Sequence, residues 1–286
     1  MTGLHPKIGF CIAPIACLLF GCNAALKLDY EIIQLKNPAT IDCEGKKYNN
    51  GKITELQIFA SNVTIKHCRI NGSVRTIGLG RNGEAAGVKA SSFDLGHTER
   101  AQAAAPRNTF LSNVTITGFG RIPLYLGPGT TNFTLQESTI KGYSKSVALY
   151  LDAESGVNTI RNNTFYIANA TREIIAVDGS ANNQIIMNTI KRATKGGIYL
   201  YRNCGEGGTV RHQSPQYNVI AGNTIDNTGG YGVWLGSRNG NRPYCKDDAG
   251  FSFGSSKDDG DFADNNIVKD NVFASNDRAV ASGANH

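Results

Sequence analysis

The chain has 286 residues, 40% of them hydrophobic, and a formal net charge of +6. This length can bury a large core, and stretches with helical periodicity are nearly absent, which excludes a helix-dominated fold. The charge is mild and not gathered into a basic patch, so a nucleic-acid partner is excluded and an acidic polysaccharide is compatible.

Residues 1–22 read as an export signal. Lys7 supplies the charged start, Ile8–Phe20 the apolar run, and Leu19-Phe-Gly-Cys22 is similar to a bacterial lipobox. Phe20 is bulkier than the usual residue there. Lipidation of Cys22 is the expectation, and ordinary cleavage near Ala24 or Ala25 is the alternative. The apolar run is short for a membrane-spanning helix, which needs about 20 residues. The expected location is the periplasm or the outer membrane, as a lipoprotein, with secretion as the alternative. A lipid anchor would be the only membrane contact, and a monomer is expected.

The mature chain, 26–286, reads as one elongated domain of repeated coils. Asn-x-Ile-x-x-Asn-x-(Ile/Phe) recurs at Asn158/Asn163, Asn183/Asn188 and Asn218/Asn223, with a shifted form at Asn266/Asn271. Shorter versions start at Asn62, Asn113 and Asn132. A step of 25 residues, Asn158 to Asn183, suits one turn of a parallel β-helix, in which Asn amides form a ladder within turns that favour the left-handed conformation. Gly, at 33 residues, suits tight corners.

Four cysteines remain beyond the leader. Cys43 and Cys68 are one coil apart, and Cys204 and Cys245 lie in two long loops, so an oxidising compartment predicts the pairs Cys43–Cys68 and Cys204–Cys245. No Cys-x-x-Cys or close Cys–His spacing supports zinc.

Each Asn unit follows a short alternating strand. Leu124/Leu126, Leu149/Leu151, Ile175/Val177, Ile198/Leu200 and Val233/Leu235 are assigned inward. The outward column is then Tyr125, Tyr150, Ala176, Tyr199 and Trp234, and the next is Gly127, Asp152, Asp178, Tyr201 and Gly236. Insertions are placed at 82–107, 202–217 and 237–263. The last two leave from the same corner, and insertions on one side commonly build a binding face. Thr98–Ala105 in the first reads as a short helix with Thr98 as its cap.

These patterns resemble the right-handed parallel β-helix proteins, the superfamily of pectate lyases and other polysaccharide lyases, polygalacturonases and C5-epimerases. The segments YLDAESG, REIIAVDGS, YLYRNCGEGGTVRHQ and LGSRNGNRPYC are similar to those of proteins described only by that fold. The Asp-Pro-His-Asp motif of the epimerases and the Gly-His-Gly of the polygalacturonases are missing, so the resemblance implies fold rather than catalytic residues.

The residues themselves offer chemistry. Asp152 and Asp178 form a stacked carboxylate pair, suited to acid–base work or to capping turns. Tyr201, Arg202, Arg211 and His212 are the types that neutralise a uronate carboxylate and move the C5 proton; Arg–Glu pairs holding a loop, with Glu154 or Glu206, are the plain alternative. Tyr125, Tyr150, Tyr199 and Trp234 are candidate sugar platforms, with Glu154, Arg238, His97 and Arg100 as further substrate contacts. Packing beneath the loops is the competing reading of the rings. Asp247, Asp258, Asp259 and Asp261 match no EF-hand spacing, so calcium is at most an option and no cofactor is assigned. The expected function is a lyase or C5-epimerase on a uronate polymer. The alternatives are a hydrolase using Asp152 and Asp178, or a non-catalytic glycan-binding envelope lipoprotein.

Overall fold

The computed structural model describes residues 29–78, 96–169, 172–202, 212–226, 229–236, 263–274 and 279–282. Short strands wind into a right-handed parallel β-helix with three faces. Sheet A includes Leu124–Leu126, Leu149–Leu151, Ile175–Asp178, Ile198–Tyr201 and Val233–Leu235. Sheet B includes Phe110–Ser112, Thr134–Gln136, Thr159–Arg161, Gln184–Ile186, Val219–Ala221 and Ile267–Lys269. Sheet C includes Thr115–Gly120, Thr139–Ser144, Thr164–Asn169, Thr189–Lys191 and Thr224–Ile225. The long strand Arg69–Thr76 pairs into both A and C. Alternation works as the sequence predicts: Leu124, Leu149, Ile175, Ile198 and Val233 are in register and fully buried in the core.

Two columns of Asn flank sheet B, buried except at their half-buried last members, Asn266 and Asn271. One runs Asn158, Asn183, Asn218, Asn266, and the other Asn163, Asn188, Asn223, Asn271. In each step an Nδ2 donates to the Oδ1 one coil on, at 2.8–3.0 Å. Asn188 shows the full pattern. Its Oδ1 accepts from the backbone N–H and the Nδ2 of Asn163, and its Nδ2 donates to Ile160 O and to Asn223 Oδ1. Every donor and acceptor of the amide is used, so its burial carries little desolvation cost.

The left-handed backbone falls on the residue before the ladder position, not on the ladder Asn. Val157, Asn162, Asn182, Met187 and Tyr217 all have φ between 53° and 58°. This corrects the reading of the earlier units. Asn62, Asn113 and Asn132 sit at that left-handed corner, and Val63, Val114 and Phe133 occupy the ladder position instead. Asn is repeated in both places for two different reasons, which one motif had merged. The expected disulfide Cys43–Cys68 is present, with Cα atoms 4.8 Å apart. Cys204, Cys245 and Cys22 lie outside the described residues.

The three insertions share a corner. The chain leaves sheet A at Thr76, Tyr201 and Leu235 and re-enters sheet B at Phe110, Val219 and Ile267. The first insertion contains the one helix of more than one turn among the described residues, α1, His97–Ala104. Thr98 is not its cap; Gly96 takes that position in a left-handed conformation. The helix lies close on the A–B corner, where a Cβ on Gly129 would come within 2.5 Å of Ala101 O.

Replacing Asn188 by Ala strands buried donors of Asn163 and the carbonyl of Ile160. A loss of roughly 2–4 kcal/mol is expected from urea unfolding. Asn188→Asp loses more, because it sets a carboxylate oxygen against Asn223 Oδ1.

Candidate functional site

The A–B corner collects most of the residues that the sequence marks as chemical. The outward columns have the expected register: Tyr125 pairs with Tyr150, Ala176 with Tyr199, Tyr199 with Trp234, and Asp178 with Tyr201. Their environment differs from the expectation of an open aromatic ladder. Tyr150 is 6% exposed and Tyr201 1%, and together with Val147 and Ala176 they make a second, smaller apolar cluster outside the sheet.

The phenols of Tyr125, Tyr150 and Tyr201 are each turned toward a carboxylate. Tyr125 donates to Asp152 Oδ2 and Tyr150 to Asp178 Oδ2, each reaching one coil forward. Asp152 also accepts from the Ala153 amide at 2.8 Å. Where the column has Ala176 and no hydroxyl, the pattern changes. Tyr201 donates to Glu173 Oε1 at 2.6 Å, and Arg172 bonds both Glu173, at 2.8 Å, and the Tyr201 hydroxyl. Arg172 also lies over the Tyr150 ring at 5.5 Å, and Arg75 over the Tyr125 ring at 4.3 Å. Burial works against the Arg172 charge, but Tyr201, Glu173 and Tyr150 outweigh it and hold its pKa above the ordinary arginine value.

Each carboxylate of the stacked column is thus bonded to a tyrosine of the coil before, Asp152 to Tyr125 and Asp178 to Tyr150. Asp178 is fully buried and Asp152 is 7% exposed. Tyr201 and Arg202, expected to aim into a groove, are both 1% exposed. Tyr199 and Trp234 are half-buried, with ring centroids 6.2 Å apart. The Tyr199 hydroxyl bonds Lys195 O and the Tyr231 amide, and Tyr231 packs on Trp234 at 4.8 Å.

The first two insertions meet over Glu154. This carboxylate, 2% exposed, accepts from Thr98 Oγ1 at 2.5 Å and from the backbone N–H groups of His212 and Gln213 at 2.6 and 3.2 Å. Gln102 and Gln213 add bonds to Glu154 O, Ser155 O and Gly179 O. The imidazoles of His97 and His212 stack with centroids 4.2 Å apart. The structure thus joins His97, His212 and Glu154, which the sequence selected from three separate stretches. Glu154 is the clasp of the two insertions rather than an open substrate contact. Arg100 is exposed on α1. Arg211, Arg238, Asp247, Asp258, Asp259 and Asp261 lie outside the described residues.

Arg172, Glu173, Gln102 and Gln213 escaped the sequence reading, and Thr98, expected as a helix cap, is instead a donor to Glu154. Arg172 and Glu173 precede the strand and so fall outside its alternation, and nothing in the repeat marks the two glutamines.

Tyr150→Phe removes a donor from a fully buried carboxylate. A loss of about 1–3 kcal/mol in denaturant unfolding is expected, against less than about 0.5 for Tyr143→Phe on the exposed face of sheet C.

A family model described as "NosD: Periplasmic copper-binding protein (NosD)" matches residues 33–245. The chain belongs to this family. It is an exported protein, and among the described residues no helix is long and apolar enough to cross a membrane. Searches of curated proteins and of solved structures found no match.

Proposed function

We propose that this NosD-family chain is a non-catalytic β-helix scaffold that binds glycan polymers in the periplasm. One observation carries the reading: the acids and bases that polymer cleavage would need on sheet A are buried and bonded to each other. Asp178, Asp152 and Tyr201 are at most 7% exposed, and all three take part in tyrosine–carboxylate bonds. A base that removes the C5 proton of a uronate has to reach it directly or through one water. The Tyr–Asp column stabilises the stacking of coils and is assigned to structure. The solenoid form supports the polymer reading, since strands spaced about 4.8 Å apart repeat any exposed side-chain row along an axis.

The family description names copper, whose sites recruit imidazole, thiolate and thioether ligands. Among the described residues no group of three His, Cys, Asp or Glu is placed to hold a metal. Cys43 and Cys68 are joined to each other, and His67 Nδ1 lies 3.0 Å from Asp42. His97 and His212 face one another with planes 27° apart, whereas a metal lies in the plane of each ring that binds it. Two rings stacked in this way do not share one ion. The described residues do not fit a copper centre.

The test is an assay against a panel of uronic and neutral polymers. Retention of the polymer in affinity electrophoresis, without unsaturated uronic ends in the ultraviolet and without new reducing ends, is the expected result. Unsaturated ends would establish the lyase reading, and reducing ends alone the hydrolase.

A further inference from the structure

Within the described strands, the most exposed aromatic side chains are not on sheet A but on sheet C. Register sets Thr117, Lys141, Tyr166 and Lys191 in one outward row, and Phe119, Tyr143 and Ala168 in the next. Tyr166 is 47% exposed and Tyr143 41%, while Ile140, Phe165 and Ile190 on the same strands point into the core at full burial. Single exposed rings need no explanation; two on one face flanked by cations of one sign do. Arg192, at the corner after Lys191, lies over the Tyr166 ring at 5.9 Å and donates to its hydroxyl at 3.3 Å. Lys145 and Lys195 are exposed at the edges of the same face.

These residues enclose a cleft of about 310 Å3, lined by Lys141, Gly142, Tyr166, Ile167, Ala168, Arg192 and Thr194. The small residues open it. Ala168, which pairs with Tyr143, lines the cleft with only a methyl group, and Gly142 has φ 96° with the backbone of Gly118 so close that a Cβ would meet its carbonyl at 2.5 Å. Among the described lining residues none is acidic; Asp226 follows Lys191 only at the far end of the row.

From this we infer that the outer face of sheet C holds a binding subsite for carboxylated sugar units of an acidic polysaccharide, with Tyr166 as its platform. The inference rests on the glycan-binding reading above and gives it a place and a charge. Tyr166 presents a flat apolar ring with a polar rim, the form that suits the C–H face of a pyranose. One strand to either side stands a lysine, and Arg192 offers a planar fork of donors that fits a carboxylate. Charge complementarity selects an anionic polymer over a neutral one. The cations around the Tyr166 ring suit a carboxylate, whereas insertion into lipid calls for a broad apolar face.

The mature protein is titrated with polygalacturonate, with its fully methyl-esterified form, and with phosphatidylglycerol vesicles, at two salt concentrations. The expected result is binding to polygalacturonate alone, weakening with salt. Tyr166→Ala should weaken it roughly tenfold or more, and the pair Lys141→Ala with Arg192→Asn by a similar factor with a flatter salt dependence. Asn is used at position 192 because the backbone there has φ 59°. All three side chains are exposed, and circular dichroism checks that the fold is kept. Arg161→Ala, on exposed sheet B, should leave binding unchanged. Wild-type binding that all these variants retain overturns the subsite and leaves the glycan reading standing. Binding to no polymer overturns both, and binding to the vesicles or equally to the esterified polymer overturns the acidic-sugar assignment.

Discussion

Everything else in this molecule depends on the buried amide columns beside sheet B. A β-helix has to turn its chain three times per coil inside a water-excluded interior, and each turn exposes backbone groups that the sheets do not satisfy. Asn settles this with one side chain. At Asn183, Asn188, Asn218 and Asn223 the carbonyl oxygen takes two N–H groups from the coil before, while the amide nitrogen serves the Oδ1 of the coil after and a second acceptor, Ser180 Oγ for Asn183 and a backbone carbonyl of the coil before for the other three. An apolar residue there would fill the volume but leave those groups unmet. Where the columns begin, other solutions appear: Val63, Val114 and Phe133 fill the position, and Ser138 Oγ accepts from the Val114 amide.

The same columns explain why long insertions are tolerated. After the chain leaves sheet A and wanders, it returns at a ladder residue: Thr109 after the first insertion, Asn218 after the second, Asn266 after the third. The amide of Asn218 or Asn266 has one saturated position available, so the register is restored regardless of what came before. This lets the A–B corner vary while sheets B and C remain regular. Glu154 then gathers the first two insertions back onto the solenoid with three hydrogen bonds from residues 56 to 59 positions away.

Much of the fold was legible because its signals are local and periodic. The inward Leu and Ile positions, the coil length of 25 and the Cys43–Cys68 pair all follow from spacing. The site was legible only as a set of residues. Spacing assigned Tyr150, Asp178 and Tyr201 to one outer face, and that is where they are, but a period of two says nothing about what lies over that face. The covering comes from Arg172, Glu173 and side-chain bonds between neighbouring coils, and these depend on rotamers that no repeat encodes. The distinction between Asn132 and Asn158 was lost for a similar reason. Two neighbouring positions favour the same residue, one for its tolerance of positive φ and the other for its four hydrogen bonds.

The amide columns also have an arrow. In every amide–amide bond the oxygen faces the amino-terminal neighbour and the nitrogen the carboxy-terminal one, from Asn158 to Asn266 and from Asn163 to Asn271. The columns begin on backbone N–H groups of Phe133 and Ser138 and finish on the carbonyls of Pro215, Ala263 and Ile220. No single amide can flip without setting oxygen against oxygen on one side and N–H against N–H on the other, so orientation belongs to the column as a whole. The dipoles add along the solenoid axis in the manner of peptide units in a helix, though side chains carry them. The stretch of β-helix from Asn158 to Asn271 is in this way polarised along its axis, and its two ends are electrically unlike before any charged residue is counted.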